Sequence, residues 1–258
     1  MFTLDLTGQH ALVLGVANHR SLSWAIAQQL HAAGATLCLT YAGDRLKGGV
    51  EELAATLPGT ITLPCDVTDD AQIDAVAQSL TERWGAIEVL VHGVAFANKE
   101  DLEGSFVATS REGFRTALEV SAYSLLNVTN RVLPLLEKNG AAIVSLSYLA
   151  AERAVPSYNV MGSAKAVLEQ ATRQLAYELG PKNIRVNAVS AGPVNTLAAR
   201  GIRGFTGMYK DHAERAALKR NITQEEVAKA SLFLLSHMSS GMTGEVLYVD
   251  AGYRIMGV

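Results

Sequence analysis

Seven short apolar runs alternate with segments of helical periodicity along the chain: His10 to Leu14, Thr36 to Tyr41, Thr60 to Leu63, Val89 to His92, Ala141 to Leu146, Ile184 to Val189 and Val246 to Val249. The runs are nearly continuous in apolar residues, so each strand must be covered on both faces, and an antiparallel sheet with one wet face does not suit them. The pattern predicts an α/β fold, a Rossmann-like doubly wound seven-stranded parallel sheet with helices on both sides. A chain of 258 residues with 49% hydrophobic content can bury one large core, and no composition shift marks a linker; residues 1–258 are expected to form a single domain.

Charge and cysteine use narrow the function classes. A net charge of −3 gives no electrostatic footprint for nucleic acid, so small molecules are the expected partners. Cys38 and Cys65 lie among strand-like residues outside any CxxC pattern and read as buried, reduced thiols. The six histidines show no paired spacing, so no metal is expected. No stretch approaches a membrane span and the first residues lack the basic-then-apolar pattern of a leader; a soluble, cytoplasmic protein with no membrane contact is the expectation.

In a sheet of this kind ligands bind beyond the carboxyl ends of the strands. The polar clusters fall there: Gly15 to Ser21, Ala42 to Arg45, Asp66-Val67, Gly93 to Asn98, Ser147-Tyr148 and Ala191 to Ala198. The loop from Gly15 to Leu22 leads into a helix start, where exposed N–H groups and the helix dipole favour a pyrophosphate and Ser21 adds a hydroxyl. It is not GxGxxG, and on its own Gly15 reads equally as a turn residue and Ser21 as an N-cap. No basic residue stands at 42 or 43 to receive a 2′-phosphate, which favours NADH over NADPH, although Arg45 is close. Asp66 is placed to accept from an adenine amino group or to be a solvated loop aspartate.

Tyr158 and Lys165, seven residues apart, are predicted on one face of a helix that Ala164, Val167, Leu168, Ala171 and Leu175 mark out as far as Gly180-Pro181. Their Cα atoms are then about 10 Å apart, a gap suited to a cofactor ribose. The pair, the seven strands and the terminal Gly-Glu-Val-Leu-Tyr-Val-Asp-Ala-Gly resemble the short-chain dehydrogenase/reductase superfamily. Gly15-x5-Ser21, Leu39-Thr40-Tyr41, Cys65-Asp66-Val67, Ala95-Phe96-Ala97, Leu146-Ser147-Tyr148-Leu149, Tyr158-Asn159-Val160-Met161-Gly162 and Ser190-Ala191-Gly192-Pro193 further resemble the NADH-dependent enoyl-[acyl-carrier-protein] reductases of bacterial fatty-acid synthesis.

That resemblance implies reduction of a trans-2-enoyl thioester on an acyl-carrier protein, with NADH as cofactor and a homotetramer as assembly. It makes Tyr158 and Tyr148 the active-site tyrosines and Lys165 the ribose ligand. Gly15, Ser21, Leu22, Ala42, Asp66, Val67, Val94, Val194, Asn195, Thr196, Leu197 and Ala198 are implied along the dinucleotide, and Ala97, Tyr148, Met161 and Phe205 at the substrate. Tyr148 suits a substrate wall as well as proton delivery. Two positions depart from the best-known members: Ala42 replaces a longer polar side chain and Gly93 a common serine, which bears on cofactor preference.

Thr196 to Lys219, with Gly201, Gly204 and Gly207 among apolar residues, reads as a mobile lid over the acyl chain, or as an ordinary packed helix. Between Arg200 and Arg220 six basic residues stand against Asp211 and Glu214, leaving a local +4 that suits an acidic carrier protein or merely solvated charges. The C-terminal Tyr253 to Met256 suits a subunit contact or a packed tail. The rival reading is a carbonyl-reducing (3-ketoacyl) member of the superfamily. Ser145, thirteen residues before Tyr158, supports it; His92-Gly93-Val94-Ala95, the Gly15 loop and Ser121 all depart from the ketone-reducing pattern.

Overall fold

The structure, a computed structural model, describes residues 4–196, 199 and 204–257. Strands β1 (His10–Leu14), β2 (Thr36–Tyr41), β3 (Ile61–Pro64), β4 (Val89–His92), β5 (Ala141–Ser147), β6 (Ile184–Ala191) and β7 (Val246–Val249) form one sheet in the order β3-β2-β1-β4-β5-β6-β7. Every pairing is parallel. The seven expected strands are therefore all present. β3 lies one residue later than its apolar run, and β5 and β6 continue through Ser147 and Ala191, because their neighbours still offer ladder partners: Ser147 is level with Ser190, and Ala191 with Val249.

Alternate strand residues feed two cores, as the period of two requires. Ala11 and Val13 face a layer built on α1 (Leu22–Ala32), α2 (Asp44–Ala55) and α9 (Gln224–Leu235), with Ile26, Leu30, Val50, Val227 and Leu234 buried against them. Leu12 and Leu14 face α3 (Asp70–Arg83), α6 (Ser124–Leu136) and α7 (Val160–Leu179), where Ile73, Val76, Leu125, Val132 and Leu168 pack. Cys38 and Cys65 belong to this second core as free thiols, each pushed up to about 12 by burial. Short helices α4 (Lys99–Glu103) and α5 (Arg111–Leu118) follow β4, and α8 (Phe205–Arg215) follows β6.

The starts of α3 and α9 are sequence-coded. Asp69 accepts from the Ala71 N–H at the start of α3, and Thr223 and Glu226 form a reciprocal capping box on α9. Between α5 and α6 the chain widens into a single π turn, Glu119–Tyr123.

Candidate active site

Strand order reverses between β1 and β4, which opens a crevice beyond their carboxyl ends. Gly15 closes β1 there with φ +91, and a Cβ on it would lie 2.2 Å from the Gly93 carbonyl oxygen. No side chain fits between the two loops. A Cβ on Gly93 would in turn lie 1.9 Å from Ser23 Oγ, and Ser23 is 1% exposed on the first turn of α1. The missing side chain at 93 is thus a local exchange, its room taken by the Ser23 hydroxyl. A Gly93→Ala variant is expected to lose about 1–3 kcal/mol by overpacking; adding Ser23→Ala should recover most of it, a coupling readable in a denaturation double-mutant cycle.

Ser21 occupies the N-cap position of α1 but does not cap it. Its hydroxyl turns back and accepts from the Ala17 and Asn18 N–H groups at 3.0 and 3.1 Å, which fixes the loop. The N–H groups of Leu22 and Ser23 have no acceptor among the described residues, so the helix end presents donors to an anion. Leu22 packs its side chain on the first core. Across the crevice Val67 is buried and Val94 half-buried in the second core. Asp66 accepts from both the N–H and the hydroxyl of Thr68 at 2.9 and 2.7 Å through one carboxylate oxygen. Ala42 is exposed just before Gly43, whose φ is +79, and Asp44 begins α2. Val194 is buried beyond β6; Asn195 is exposed, and Thr196 bonds back to the Val194 carbonyl. Leu197 and Ala198 lie outside the described residues.

Lys165 projects from α7 into the sheet end. It is 5% exposed, and its ammonium donates to the Leu146 carbonyl at 2.7 Å, with no carboxylate at ion-pair distance among the described residues. Burial pulls it down to about 8, partly offset by the charge of Glu169. An ammonium has three donors, so two remain for hydroxyls of a bound ligand. His92 on β4 feels this charge; burial first and Lys165 second push it down to about 3, and its Nε2 meets Ser124 Oγ at 2.7 Å. It is a neutral, structural imidazole.

Tyr158 is not on the helix with Lys165, as its spacing predicts. It stands in the turn before α7, whose first residue is Val160. Asn159 intervenes with φ 38 and ψ −119, a conformation no helix contains. Its side-chain amide holds the strain by donating to the Leu102 and Gly104 carbonyls at 3.0 and 2.8 Å. The Tyr158 ring nevertheless packs with Tyr148, their centroids 4.8 Å apart at 57°. Burial raises both phenols above their ordinary value, Tyr148 to about 12, and each tyrosine stays protonated at neutral pH.

The chain that carries this glycine cradle, the open helix N–H donors, the buried ammonium and the two protonated phenols is similar to known proteins along almost its whole length. The family described as enoyl-(acyl carrier protein) reductase matches residues 15–254. The NADH enoyl-[acyl-carrier-protein] reductase of Nostoc is 50% identical over 258 residues, covering 99% of this chain and 100% of that protein. This chain belongs to that family. Among solved structures, the NADH enoyl-[acyl-carrier-protein] reductase of Aquifex aeolicus superposes with TM-score 0.95 at 45% identity, over 98% of this chain and 99% of the other. The reductase of Anaplasma phagocytophilum in complex with NAD superposes with TM-score 0.95 at 42% identity, over 100% and 98%.

Within this reductase, the serine that supports ketone reduction is withdrawn from the crevice. Ser145 is 0% exposed and its hydroxyl meets that of Thr172 on α7 at 3.2 Å. Ser121, in the π turn, is also buried; it accepts from the Phe96 N–H and donates to the Phe96 carbonyl, pinning the loop that carries Ala97. Ala97 packs beside Tyr158 on a small cluster of Ala117, Val160, Met161 and Ala164. Met161 is 5% exposed in that cluster, and Phe205 is 8% exposed with its ring 5.5 Å from that of Tyr209. Among the described residues of the expected lid, Met208 reaches the site, its sulfur 3.7 Å from the Tyr148 hydroxyl. Met208 has a helical neighbourhood but no local signal of its role.

Of the expected lid, residues 205–215 form α8, and 197, 198 and 200–203 lie outside the described residues. The basic edge is weaker than its residue count. Arg220 is bidentate to Glu226, which lies outside the counted span, and Lys210 pairs with Glu214 at 3.8 Å; Arg200 and Arg203 lie outside the described residues.

Proposed function

We propose that this crevice reduces trans-2-enoyl-[acyl-carrier-protein] to acyl-[acyl-carrier-protein] with NADH, with Tyr158, Tyr148 and Lys165 as its catalytic residues. The observation that favours this over ketone reduction is the burial of Ser145 on Thr172, which takes the serine hydroxyl out of the crevice, while Tyr158 and Tyr148 pack ring to ring at 4.8 Å. The relatives named above for the enoyl reaction support the same reading.

NADH supplies the hydride that reaches the β-carbon of the enoyl thioester. Negative charge then gathers on the thioester carbonyl oxygen, Tyr158, protonated and half-buried, donates a hydrogen bond to it, and a proton from solvent at the α-carbon completes the saturated thioester. Lys165 holds the ribose hydroxyls with its two remaining donors and adds positive potential beside the developing charge. Gly15, Ser21 and the Leu22 N–H hold the pyrophosphate; Asp66, Val67, Val94 and the segment from Val194 to Ala198 line the rest of the dinucleotide. The Ala42-Gly43 pair brings no cation to a 2′-phosphate, in keeping with NADH. Tyr148, Met161, Phe205 and Met208 wall the acyl side, and Ala97 meets the thioester.

One domain carries cofactor and substrate sites. The carrier protein approaches the α8 edge, where Lys210, Arg215 and Lys219 are exposed. A homotetramer suits the apolar groove between α5–α6 and α7, where Tyr123, Leu126 and Val167 are 55%, 39% and 44% exposed, and the 73% exposed Ile255 of the tail. No helix among the described residues is long and apolar enough to cross a membrane, and a cytoplasmic location fits fatty-acid synthesis. The test is NADH oxidation with crotonyl and with acetoacetyl thioesters. Turnover of crotonyl thioester alone is expected; turnover of the ketone alone overturns the proposal. Turnover of the carrier-linked substrate should fall more steeply with salt than that of the pantetheine thioester.

A further inference from the structure

One buried acid near the crevice has no part in the reaction as described. Glu169 lies on α7 one turn beyond Lys165, 4% exposed, and its carboxylate accepts from the Ser147 hydroxyl at 2.6 Å. Ser147 is the last residue of β5 and Tyr148 follows it directly. The preceding residue, Leu146, gives its carbonyl to Lys165. Two successive residues at the end of β5 are therefore tied to two successive turns of α7, one through an ammonium and one through a carboxylate. These are the elements from which Tyr148 and Lys165 project.

We propose that Glu169 is a positioning residue for Lys165 and Tyr148: through Ser147 it fixes the end of β5 against α7, and its buried charge keeps the neighbouring ammonium protonated. A buried amine without a counter-charge sheds its proton more readily. Glu169 and Lys165 are too far apart for an ion pair by contact, so the carboxylate acts through space and leaves the ammonium donors turned to the crevice. Other groups facing the pair are His92 from β4, Glu152 from the turn after β5, Arg173 further along α7, and Tyr248 from β7. Of these, His92 is held neutral, the Tyr248 phenol is raised beyond the neutral range, and Glu152 is engaged by the Tyr248 hydroxyl. Lys165 is the group left to titrate near pH 8.

This inference rests on Lys165 as the ribose ligand. The experiment measures kcat/KM for NADH with crotonyl thioester from pH 6 to pH 10 in wild type, Glu169→Gln, Ser147→Ala and Lys165→Met. Glu169→Gln retains an acceptor for Ser147 but loses the charge; its alkaline limb should move down by about one pH unit, a loss of about fivefold at pH 8 that approaches tenfold from pH 9 upward and narrows to within about twofold at pH 6. Ser147→Ala retains the charge and should lower kcat about fivefold at every pH with the limb unmoved. An unmoved limb in Glu169→Gln, or a loss there that is equal at all pH values, overturns the assignment. If Glu169→Gln does not fold, Glu169→Asp, which keeps the charge but is too short for Ser147, carries the test: the limb should stay and kcat should fall as in Ser147→Ala, and a limb displaced downward overturns the proposal. Lys165→Met separates the two readings, since wild-type NADH binding in it removes the ribose assignment itself, whereas its loss together with an unmoved limb in Glu169→Gln removes only the role of Glu169.

Discussion

Replacing Tyr158 by phenylalanine is expected to lower kcat about a hundredfold, a barrier increase of about 3 kcal/mol, while leaving NADH affinity and the fold unchanged. The size follows from what the hydroxyl does. Burial raises the Tyr158 phenol, with a smaller push from Tyr148, so at neutral pH the group is a neutral donor that can meet charge as it forms on the thioester oxygen. Tyr148 is also raised, to about 12, and its hydroxyl is directed at Met208, so it does not replace the lost donor. The fold survives because phenylalanine keeps the ring that packs on Tyr148 at 4.8 Å and on the cluster of Val160 and Met161. Steady-state kinetics on crotonyl thioester, with NADH binding followed by fluorescence, check both halves. A variant with wild-type turnover removes Tyr158 from the chemistry; a variant that loses NADH binding equally makes it a cofactor residue instead.

The sheet was legible because its central strands are buried on both faces and so carry uninterrupted apolar runs, a one-dimensional signal. β1, β2, β4 and β7 begin and end where those runs do. The site was legible where a residue type is itself the chemistry, as with Lys165 and the two tyrosines. What sequence periodicity placed wrongly is Tyr158. The helical spacing from Ala164 onward says nothing about where the helix starts. That start is set by Asn159, whose unusual backbone is held by the carbonyls of Leu102 and Gly104, more than fifty residues away. Ser145 is the same lesson with opposite sign: its distance from Tyr158 suggests a catalytic serine, and only the register of β5 against α7 turns it onto Thr172. Ser147 with Glu169, and Ser121 with Phe96, are pairings between elements for which the chain offers no local pattern. The count of basic residues before Arg220 likewise could not see Glu226, which pairs with Arg220 only after α9 has packed.

Replacing Lys165 by methionine is expected to weaken NADH binding at least a hundredfold, since hydrogen bonds from a charged donor are worth about 1.5–3 kcal/mol each and two are lost. The same variant should be no less stable than wild type. Burial depresses the Lys165 ammonium from 10.5 to about 8, so the folded state binds this proton more weakly than the unfolded chain does. With a depressed value on a base, the fold gains stability as pH rises through the window from about 8 to 10.5, and at pH 7 it carries the cost of a buried charge, on the order of 3 kcal/mol. Methionine fills similar space without that charge, and the bond to the Leu146 carbonyl and the through-space attraction of Glu169 are given up in exchange. Thermal unfolding of the cofactor-free variant at pH 7 should therefore come at or above the wild-type temperature. Wild-type NADH affinity should itself decline above pH 8, up to tenfold per unit, whereas the methionine variant, already weak, should show no such limb. A destabilised variant would mean that Lys165 is held for the fold, and an unchanged pH profile would mean that its proton is not what the cofactor needs.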